Sequence, residues 1–125
     1  MLHKCTIKME EQQYQWNNFG VCLNPTTARE YVAKGGGMGS YVEVKVAQKP
    51  TGEWCYGTSW AYGNGGGGVP VSAGYKCDEV YQTRHKAEMA GIDQLLRIFR
   101  NISGQQDIIS KLLEWRQGNQ LSLFD

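Results

Sequence analysis

Two stretches of the chain predict the central strands of a sheet. In one stretch apolar and polar residues alternate, and in the other large and small residues alternate. In residues 41–48 three valines alternate with charged residues, so one face of this strand would meet a core and the other face water. Residues 53–62 alternate in size, with aromatic rings on one face and small side chains on the other. The large face holds Trp54, Tyr56, Thr58 and Trp60, and the small face holds Cys55, Gly57, Ser59 and Ala61. This asymmetry predicts that another segment packs closely against the small face.

Shorter patterns predict further strands and the loops between them. Residues 3–8 alternate loosely and predict a first strand, and residues 19–23 form an apolar run that fits into a sheet. Residues 69–72 predict an edge strand, because their proline has no N–H for a ladder. The glycine run at residues 63–68 predicts a mobile hairpin loop, since it lacks the lysine and the helix start of a phosphate-binding loop. The glycines within residues 35–39 predict a flexible link from a helix to a strand.

A capping signal predicts a short helix ahead of this glycine-rich link. Asn24 followed by Pro25 has the form of an N-cap with proline at the first helical position, where its missing N–H has no cost. We therefore predict a helix at residues 25–34, with Gly35 as its left-handed stop.

Two more helices are predicted in the second half of the chain. Thr83 is the predicted N-cap of a long helix at residues 84–101, whose apolar stripe grows from small to large residues, so its first half can approach the sheet closely. A capping-box pattern then starts a second helix at residues 105–115, which Gly118 and Asn119 end. Together the elements predict an α+β fold: an antiparallel sheet of three to four strands packed by the long helix, followed by the second helix and an exposed C-terminal tail.

Size and charge limit the interpretation further. With 125 residues, 41% of them hydrophobic, the chain predicts a single α+β domain at residues 1–117 and a flexible tail at residues 118–125. The formal net charge is only +1, so no overall field attracts nucleic acid or an anionic membrane. Any contact with nucleic acid must therefore rest on a local patch.

The cysteines and histidines do not form a recognisable metal or catalytic pattern. Four cysteines stand at wide intervals without a C-x-x-C pair, and the chain has only two histidines. There is no signal-peptide pattern and no apolar run of the ~18 residues that a membrane helix needs. We expect a cytoplasmic protein with reduced cysteines, without metal, cofactor or membrane partner. We also expect no enzymatic activity, because no carboxylate pair or nucleophile constellation is visible.

The most specific motif stands at the end of the sequence. The five residues in question are Gln120, Leu121, Ser122, Leu123 and Phe124. They resemble the peptide by which many bacterial polymerases, mismatch-repair factors and initiation-control factors bind the β sliding clamp. The resemblance implies that Gln120 hydrogen-bonds in a polar subsite and that Leu121, Leu123 and Phe124 fill an apolar pocket. Ser122 stands where small or polar residues are tolerated.

The chemistry of this tail favours a receptor on independent grounds. Two leucines and a phenylalanine on a loose end cannot fold alone, and exposed apolar anchors normally bind a partner. Their burial supplies a few times ~1.5–3 kcal/mol before the cost of ordering the peptide, which indicates affinity nearer micromolar than nanomolar. A peptide of such affinity works best on a partner with several identical binding sites, and the clamp is a symmetric ring. The alternative is that the tail folds back onto its own domain as a strand or an apolar lid.

A second candidate contact lies at the start of the long helix, at Arg84, His85 and Lys86. Three cationic groups beside a helix N-terminus form a site for phosphate, and Lys76, Arg97 and Arg100 lie nearby in sequence. The predicted order of helix, three strands and helix resembles a double-stranded RNA-binding domain, but the usual run of lysines is reduced to one arginine and one lysine. The aromatic residues 54, 56, 60, 62 and 75 could stack bases, although packing under the helices is the reading that we favour.

Three hypotheses about function follow. The leading one is a non-catalytic adaptor or modulator of bacterial DNA replication or repair that uses its tail to bind the clamp, either bringing its domain to DNA or competing with polymerases. The glycine-rich hairpin and helix resemble small domains of phages and other mobile elements. The second hypothesis is a nucleic-acid-binding module with an incidental tail. The third is a small hydrolase or nuclease whose catalytic groups converge from distant parts of the sequence.

Overall fold

The computed structural model describes residues 13–33, 39–63, 65–72 and 80–122, and for residues 119–122 it describes the backbone alone. This part of the chain forms four strands, β1 (Thr26–Val32), β2 (Ser40–Gln48), β3 (Trp54–Tyr62) and β4 (Gly65–Val69), and two helices, α1 (Arg84–Phe99) and α2 (Gln106–Ser122). The strands form one antiparallel sheet in the order β1-β2-β3-β4. The predicted α+β class is confirmed, while the strand predicted at residues 3–8 lies outside the described residues. None of the described helices has the length and apolar character needed to cross a membrane.

The centre of the sheet follows the alternation in the sequence. Val42, Val44 and Val46 of β2 are fully buried. Their cross-strand partners in β3 are Trp60, Thr58 and Tyr56. Because directly opposed residues of an antiparallel pair share a face, the valines and the large side chains of β3 lie on the same side of the sheet. The two central strands are therefore confirmed, together with their faces.

β1 occupies the segment for which we predicted a helix at residues 25–34, so that prediction is wrong. The Asn24 side chain does not cap a helix: its Oδ1 accepts the Gln15 N–H at 2.7 Å, and its Nδ2 donates to the Gln13 carbonyl at 3.0 Å. The threonine, tyrosine and valine residues of the segment fit a strand once β2 offers a partner. The glycine-rich link therefore joins two strands rather than a helix and a strand, and its residues 34–38 lie outside the described part.

A register shift between Thr27 and Arg29 decides which side chains of β1 face the helices. A bulge adds one residue to one strand and reverses the alternation beyond it. The cross-strand pairs are Thr26 with Val46, Arg29 with Val44 and Tyr31 with Val42. Arg29 and Tyr31 thus share the face of the buried valines, where they reach α1 and α2.

β4 is built from the glycine run, so the prediction of a mobile loop there is wrong. Gly67 lies opposite Trp60, and Gly65 lies opposite Tyr62. A Cβ atom on Gly67 would lie 2.8 Å from the Trp60 ring, and one on Gly65 would lie 2.7 Å from the Tyr62 ring. The rings cover the glycine backbone and supply packing that a strand without side chains lacks. The strand at this edge of the sheet is therefore Gly65–Val69, and of the edge strand predicted at residues 69–72 only Val69 belongs to it.

α1 packs across the middle of the sheet, and Thr83 caps it as predicted. The stripe that runs from Ala87 to Phe99 faces the sheet, and both of these residues are fully buried. A Cβ atom on Gly91 would lie 2.8 Å from a methyl carbon of Val44. The close approach predicted for the first half of this helix is confirmed.

α2 completes the core on the same side with Ile108 and Leu112, which are fully buried. We predicted that this helix ends at Gly118 and Asn119, but its backbone continues to Ser122. That prediction is wrong because a glycine inside a helix costs only about 1 kcal/mol relative to alanine. The packed turns before Gly118 stabilise the helix enough for it to continue beyond this glycine.

The small-residue face of β3 is covered by irregular chain rather than by a helix. Cys55 is buried in a cluster that contains Cys22, Ala47 and Val71. A Cβ atom on Gly57 would lie 2.6 Å from both the Val69 carbonyl oxygen and the Val71 backbone nitrogen. Backbone therefore packs directly on backbone here, which confirms the close packing predicted for this face.

Residues 13–25, which precede β1, also contribute to this cover. Residues 19–23, an apolar run that we expected to pair in a sheet, form only isolated bridges among the described residues, Val21 with Ser72 and Cys22 with Trp16. Cys22 and Cys55 form no disulfide with each other, and burial raises the pKa of the Cys22 thiol. Cys22 is therefore a packing residue in its neutral form.

Candidate interaction surfaces

The predicted phosphate contact at Arg84, His85 and Lys86 forms the first turn of α1. Arg84 and Lys86 are exposed, and His85 is half-buried. Thr83 Oγ1 accepts the Lys86 backbone N–H at 3.1 Å, so one of the donors that a phosphate would use at this helix end is already satisfied. Lys76 lies outside the described residues.

His85 and Lys86 line a groove of about 660 Å³ between the start of α1 and the second half of α2. Met89 and Ala90 give this groove an apolar floor, and Arg116 of α2 closes its far side. The structure therefore joins part of the predicted site to a residue from the other helix.

Further along α1, a hollow of about 290 Å³ brings three arginines together. Arg97 and Arg100 come from the end of α1, and Arg116 comes from α2. Arg116 Nε lies 3.0 Å from Asp93 Oδ1, and both residues also line the neighbouring groove. The two hollows thus adjoin each other at the Asp93–Arg116 pair. We call the surface formed by Lys86, Asp93, Arg97, Arg100 and Arg116 the basic face.

Sequence reasoning identified only part of the basic face. It noted Arg97 and Arg100 as neighbours of residues 84–86 along the chain, and it missed Arg116. The spacing of Lys86, Arg97 and Arg100 on one stripe of a helix was visible in the sequence. The position of Arg116 beside that stripe depends on how the two helices pack, which no local pattern specifies.

Glu88 of α1 and Asp107 of α2 lie on a different edge of the helix layer, beside β1. Arg29 forms an ion pair with Glu88, and its guanidinium lies 5.8 Å from the centre of the Trp115 ring. The Tyr31 hydroxyl donates to the carboxylate of Asp107 at 3.0 Å, and this hydrogen bond is the main cause of the raised pKa of Tyr31. These contacts hold α1 and α2 on the first strand.

The motif that resembles a clamp-binding peptide continues α2. The backbone of Gln120, Leu121 and Ser122 belongs to the helix, and Leu123 and Phe124 lie outside the described residues. The hypothesis of a tail that folds back onto its own domain therefore remains open, as does the clamp hypothesis.

Among residues 106–118 of α2, whose side chains the structure describes, the fully buried ones come before residue 113. Ile108 and Leu112 are fully buried, whereas Trp115 and Arg116 are half-buried and Gln117 and Gly118 are exposed. The last side chains described before the motif thus make no contribution to the core.

A third surface is a hollow of about 400 Å³ on the back face of the sheet. Glu43, Lys45 and Ser59 form its floor, and the exposed side chain of Leu23 stands on its rim. Lys45 Nζ lies 3.7 Å from Glu43 Oε1, so the two side chains form an ion pair. The floor is therefore polar and internally neutralised.

Four of the five aromatic residues named as possible base-stacking rings lie in the described part of the chain, and each packs against other residues of the fold. Trp60 and Tyr62 pack against the buried cluster under the helices, Tyr56 lies beside Gly91, and Trp54 packs edge-on against Tyr14. Packing is thus confirmed for Trp60 and Tyr62, while Tyr75 lies outside the described residues.

Within the described ranges, no three histidine, cysteine, aspartate or glutamate side chains come together as a metal site. Comparisons with protein-family models, with curated proteins and with solved structures find no match to this chain.

Proposed function

We propose that this protein is a non-catalytic adaptor of bacterial DNA replication or repair that binds the β sliding clamp through residues 120–124. The observation that supports the proposal most is the burial pattern of α2. Its core anchors, Ile108 and Leu112, lie in its first half, and the exposed Gln117 and Gly118 lead into the motif. A peptide ligand must leave its own domain without loss of the core. Here the departure of the last turn leaves every described core side chain in place.

The chemistry of the motif suits a groove with one polar end. Gln120 carries an amide that can both donate and accept a hydrogen bond. Leu121, Leu123 and Phe124 carry the apolar surface, and each contributes about 1.5–3 kcal/mol when fully buried. Part of this energy offsets the ordering of the peptide, so we expect a dissociation constant in the micromolar range.

Binding requires the last turn of α2 to change conformation, because the motif is expected to bind as an extended peptide. The final carbonyls of a helix have no intrahelical partner, which makes the last turn the easiest to open. Gly118 lowers helix stability at this point by about 1 kcal/mol relative to alanine. An added Cβ atom on Gly118 would meet nothing within 4 Å, so packing does not require glycine there. The glycine makes the end of the helix easy to unwind.

Calorimetric titration against a purified bacterial clamp tests the proposal. Wild type should bind with micromolar affinity, and Leu123→Ala/Phe124→Ala should lose at least about 30-fold, since two apolar anchors are removed. The matched control is Leu113→Ala, which truncates a leucine of the same helix that is 46% exposed. It should bind like wild type. Unchanged affinity in the double variant would end the proposal.

A second variant tests the unwinding step without touching the motif. Gly118→Ala should stabilise the helix by about 1 kcal/mol and therefore weaken clamp binding about fivefold. A synthetic peptide of residues 118–125, which has no packed helix to unwind, should be much less sensitive to the same change. Equal affinity of Gly118→Ala and wild type would show that the motif does not leave a helix when it binds.

A further inference from the structure

We propose that the basic face binds the phosphate backbone of duplex DNA. This inference goes beyond clamp binding and does not depend on it, because it concerns α1 and the middle of α2 rather than the end of the chain. It also differs from the contact predicted at residues 84–86, since its centre is the arginine cluster at the other end of α1.

The cations of the described chain divide into two groups. One group is neutralised within the fold, in the pairs Arg29 with Glu88, Lys45 with Glu43, Lys49 with Glu53 and Lys111 with Glu114. In the second group, Arg84, Lys86, Arg97 and Arg100 form no ion pair with any described residue. Arg116 pairs with Asp93, which is the one carboxylate among the described residues that line the two hollows of the basic face. In the described part of the chain, three of the four lysine and arginine side chains without an ion pair thus belong to the basic face.

The geometry of this surface fits an extended polyanion. Lys86 and Arg100 are 14 positions apart on α1, which corresponds to about 21 Å along a helix that rises 1.5 Å per residue. This distance matches about six base pairs at 3.4 Å each. Arg97 and Arg100 present guanidinium groups, which match phosphate oxygens in a bidentate arrangement. Arg116 lines the same hollow of about 290 Å³, and Asp93 Oδ1 holds its side chain there at 3.0 Å from Nε.

The surroundings of the basic face favour duplex over single-stranded nucleic acid. Proteins that hold single strands stack bases on exposed aromatic rings. Tyr81 lines the groove of about 660 Å³ at the start of α1, but its ring packs against the Tyr56 ring, with the ring centroids 6.1 Å apart. His85 is half-buried. Among the described lining residues there is therefore no open ring platform, and the contact consists of charge and hydrogen bonds to phosphates.

The charge count sets the expected strength. Lys86, Arg97, Arg100 and Arg116 less Asp93 give three net positive charges. Neutralising three phosphates predicts a slope of log affinity against log salt of about −3. Binding should therefore be weak and independent of base sequence, with a dissociation constant on the order of 10⁻⁵ M at moderate salt.

Fluorescence anisotropy with a labelled duplex of about 20 base pairs, at about 50 mM salt and without clamp, tests the inference. Arg97→Glu/Arg100→Glu should weaken binding by at least about tenfold and flatten the salt slope. Arg97→Lys/Arg100→Lys should retain most of the affinity because it retains the charge. Both arginines are exposed, so circular dichroism should show an intact fold for each variant.

The matched control reverses two charges elsewhere. Lys45→Glu/Lys49→Glu changes the formal charge by the same amount, on the back face of the sheet and at the β2–β3 turn. It should bind the duplex within about twofold of wild type. An equal loss in both double variants would show a bulk charge effect and overturn the assignment, as would absence of binding by wild type. Tighter binding of a single strand than of the duplex would overturn the choice of duplex DNA.

The result is distinguishable from the outcome of the clamp experiment. Leu123→Ala/Phe124→Ala should bind the duplex like wild type, and Arg97→Glu/Arg100→Glu should bind the clamp like wild type. If both surfaces act together on clamp-loaded DNA, the weak DNA contact becomes intramolecular and gains effective concentration.

Discussion

The helices close one face of the sheet with long side chains, whereas the back face is closed by backbone lying on backbone. On the helix face, Phe99 of α1 and Leu112 of α2 lie over Val42 and Val44, and all four are fully buried. On the back face, Gly57 leaves so little room that the chain around Val71 touches the strand itself. Side chains can shift rotamers to absorb a change, but backbone segments cannot do so without moving a strand. The two faces should therefore respond differently to small and large substitutions.

The largest effect is expected on the helix face, from Phe99→Ala. Phe99 is fully buried and its ring packs edge-on against Tyr62, with centroids 6.1 Å apart. Truncation removes a large apolar side chain and leaves a cavity, so the free energy of unfolding should fall by about 3–5 kcal/mol. Urea denaturation measures this loss. Leu113→Ala is the control, and it should change stability by less than about 1 kcal/mol because Leu113 is 46% exposed. Similar losses in the two variants would contradict the assignment of Phe99 to the core.

Adding one methyl group to each face gives the next largest effect and compares the faces directly. At Gly57 the new Cβ atom would lie 2.6 Å from two backbone atoms, so Gly57→Ala should lose about 1–3 kcal/mol. At Gly91 it would lie 2.8 Å from a methyl carbon of the fully buried Val44 and 3.2 Å from the Tyr56 ring, so α1 must move away from the sheet, but α1 also gains about 1 kcal/mol in helix propensity. Gly91→Ala should therefore lose about 1 kcal/mol less than Gly57→Ala. A larger loss at Gly91 than at Gly57 would reverse the comparison.

The same contrast explains which elements could be predicted from the sequence. β2 and α1 each bury one face and β3 separates large from small side chains, so the period of each element appears directly in the order of residues, and all three were predicted with their faces. The small side of β3 was also informative, because glycine and cysteine on one face indicate the close approach of another segment. These features are local consequences of burial.

The elements that were mispredicted depend on contacts that no local pattern of residues specifies. Asn24 carries a capping signal, but it bonds the backbone of Gln13 and Gln15 instead. Gly65 and Gly67 form a strand only because the Tyr62 and Trp60 rings cover them. The basic face has the same origin, since Arg116 joins the arginines of α1 through helix packing. Tertiary contacts override local propensity in all three cases.

The smallest effect is expected at the rim of the helix face, where Tyr31 joins β1 to α2. Its hydroxyl lies 3.0 Å from both carboxylate oxygens of Asp107. The hydrogen bond to Asp107, some desolvation and the negative charges of Asp107 and Glu114 raise the pKa of Tyr31. The fold thus favours the protonated phenol. Its contribution to stability should be fully present below the ordinary pKa of about 10 and should disappear as the pH rises through the raised value.

Ultraviolet difference titration of wild type against Tyr31→Phe isolates this phenol among the seven tyrosines of the chain. Asp107→Asn keeps a hydrogen-bond acceptor but removes the charge, so it should lower the pKa of Tyr31 part of the way. Asp107→Ala removes both and should lower it further. Lys111 lies 5.0 Å from the centre of the Tyr31 ring and favours the ionised form, so Lys111→Met should raise the pKa instead. A pKa that is the same in all these variants would mean that the rim carries no electrostatic coupling, and that buried side chains alone hold α2 on the helix face.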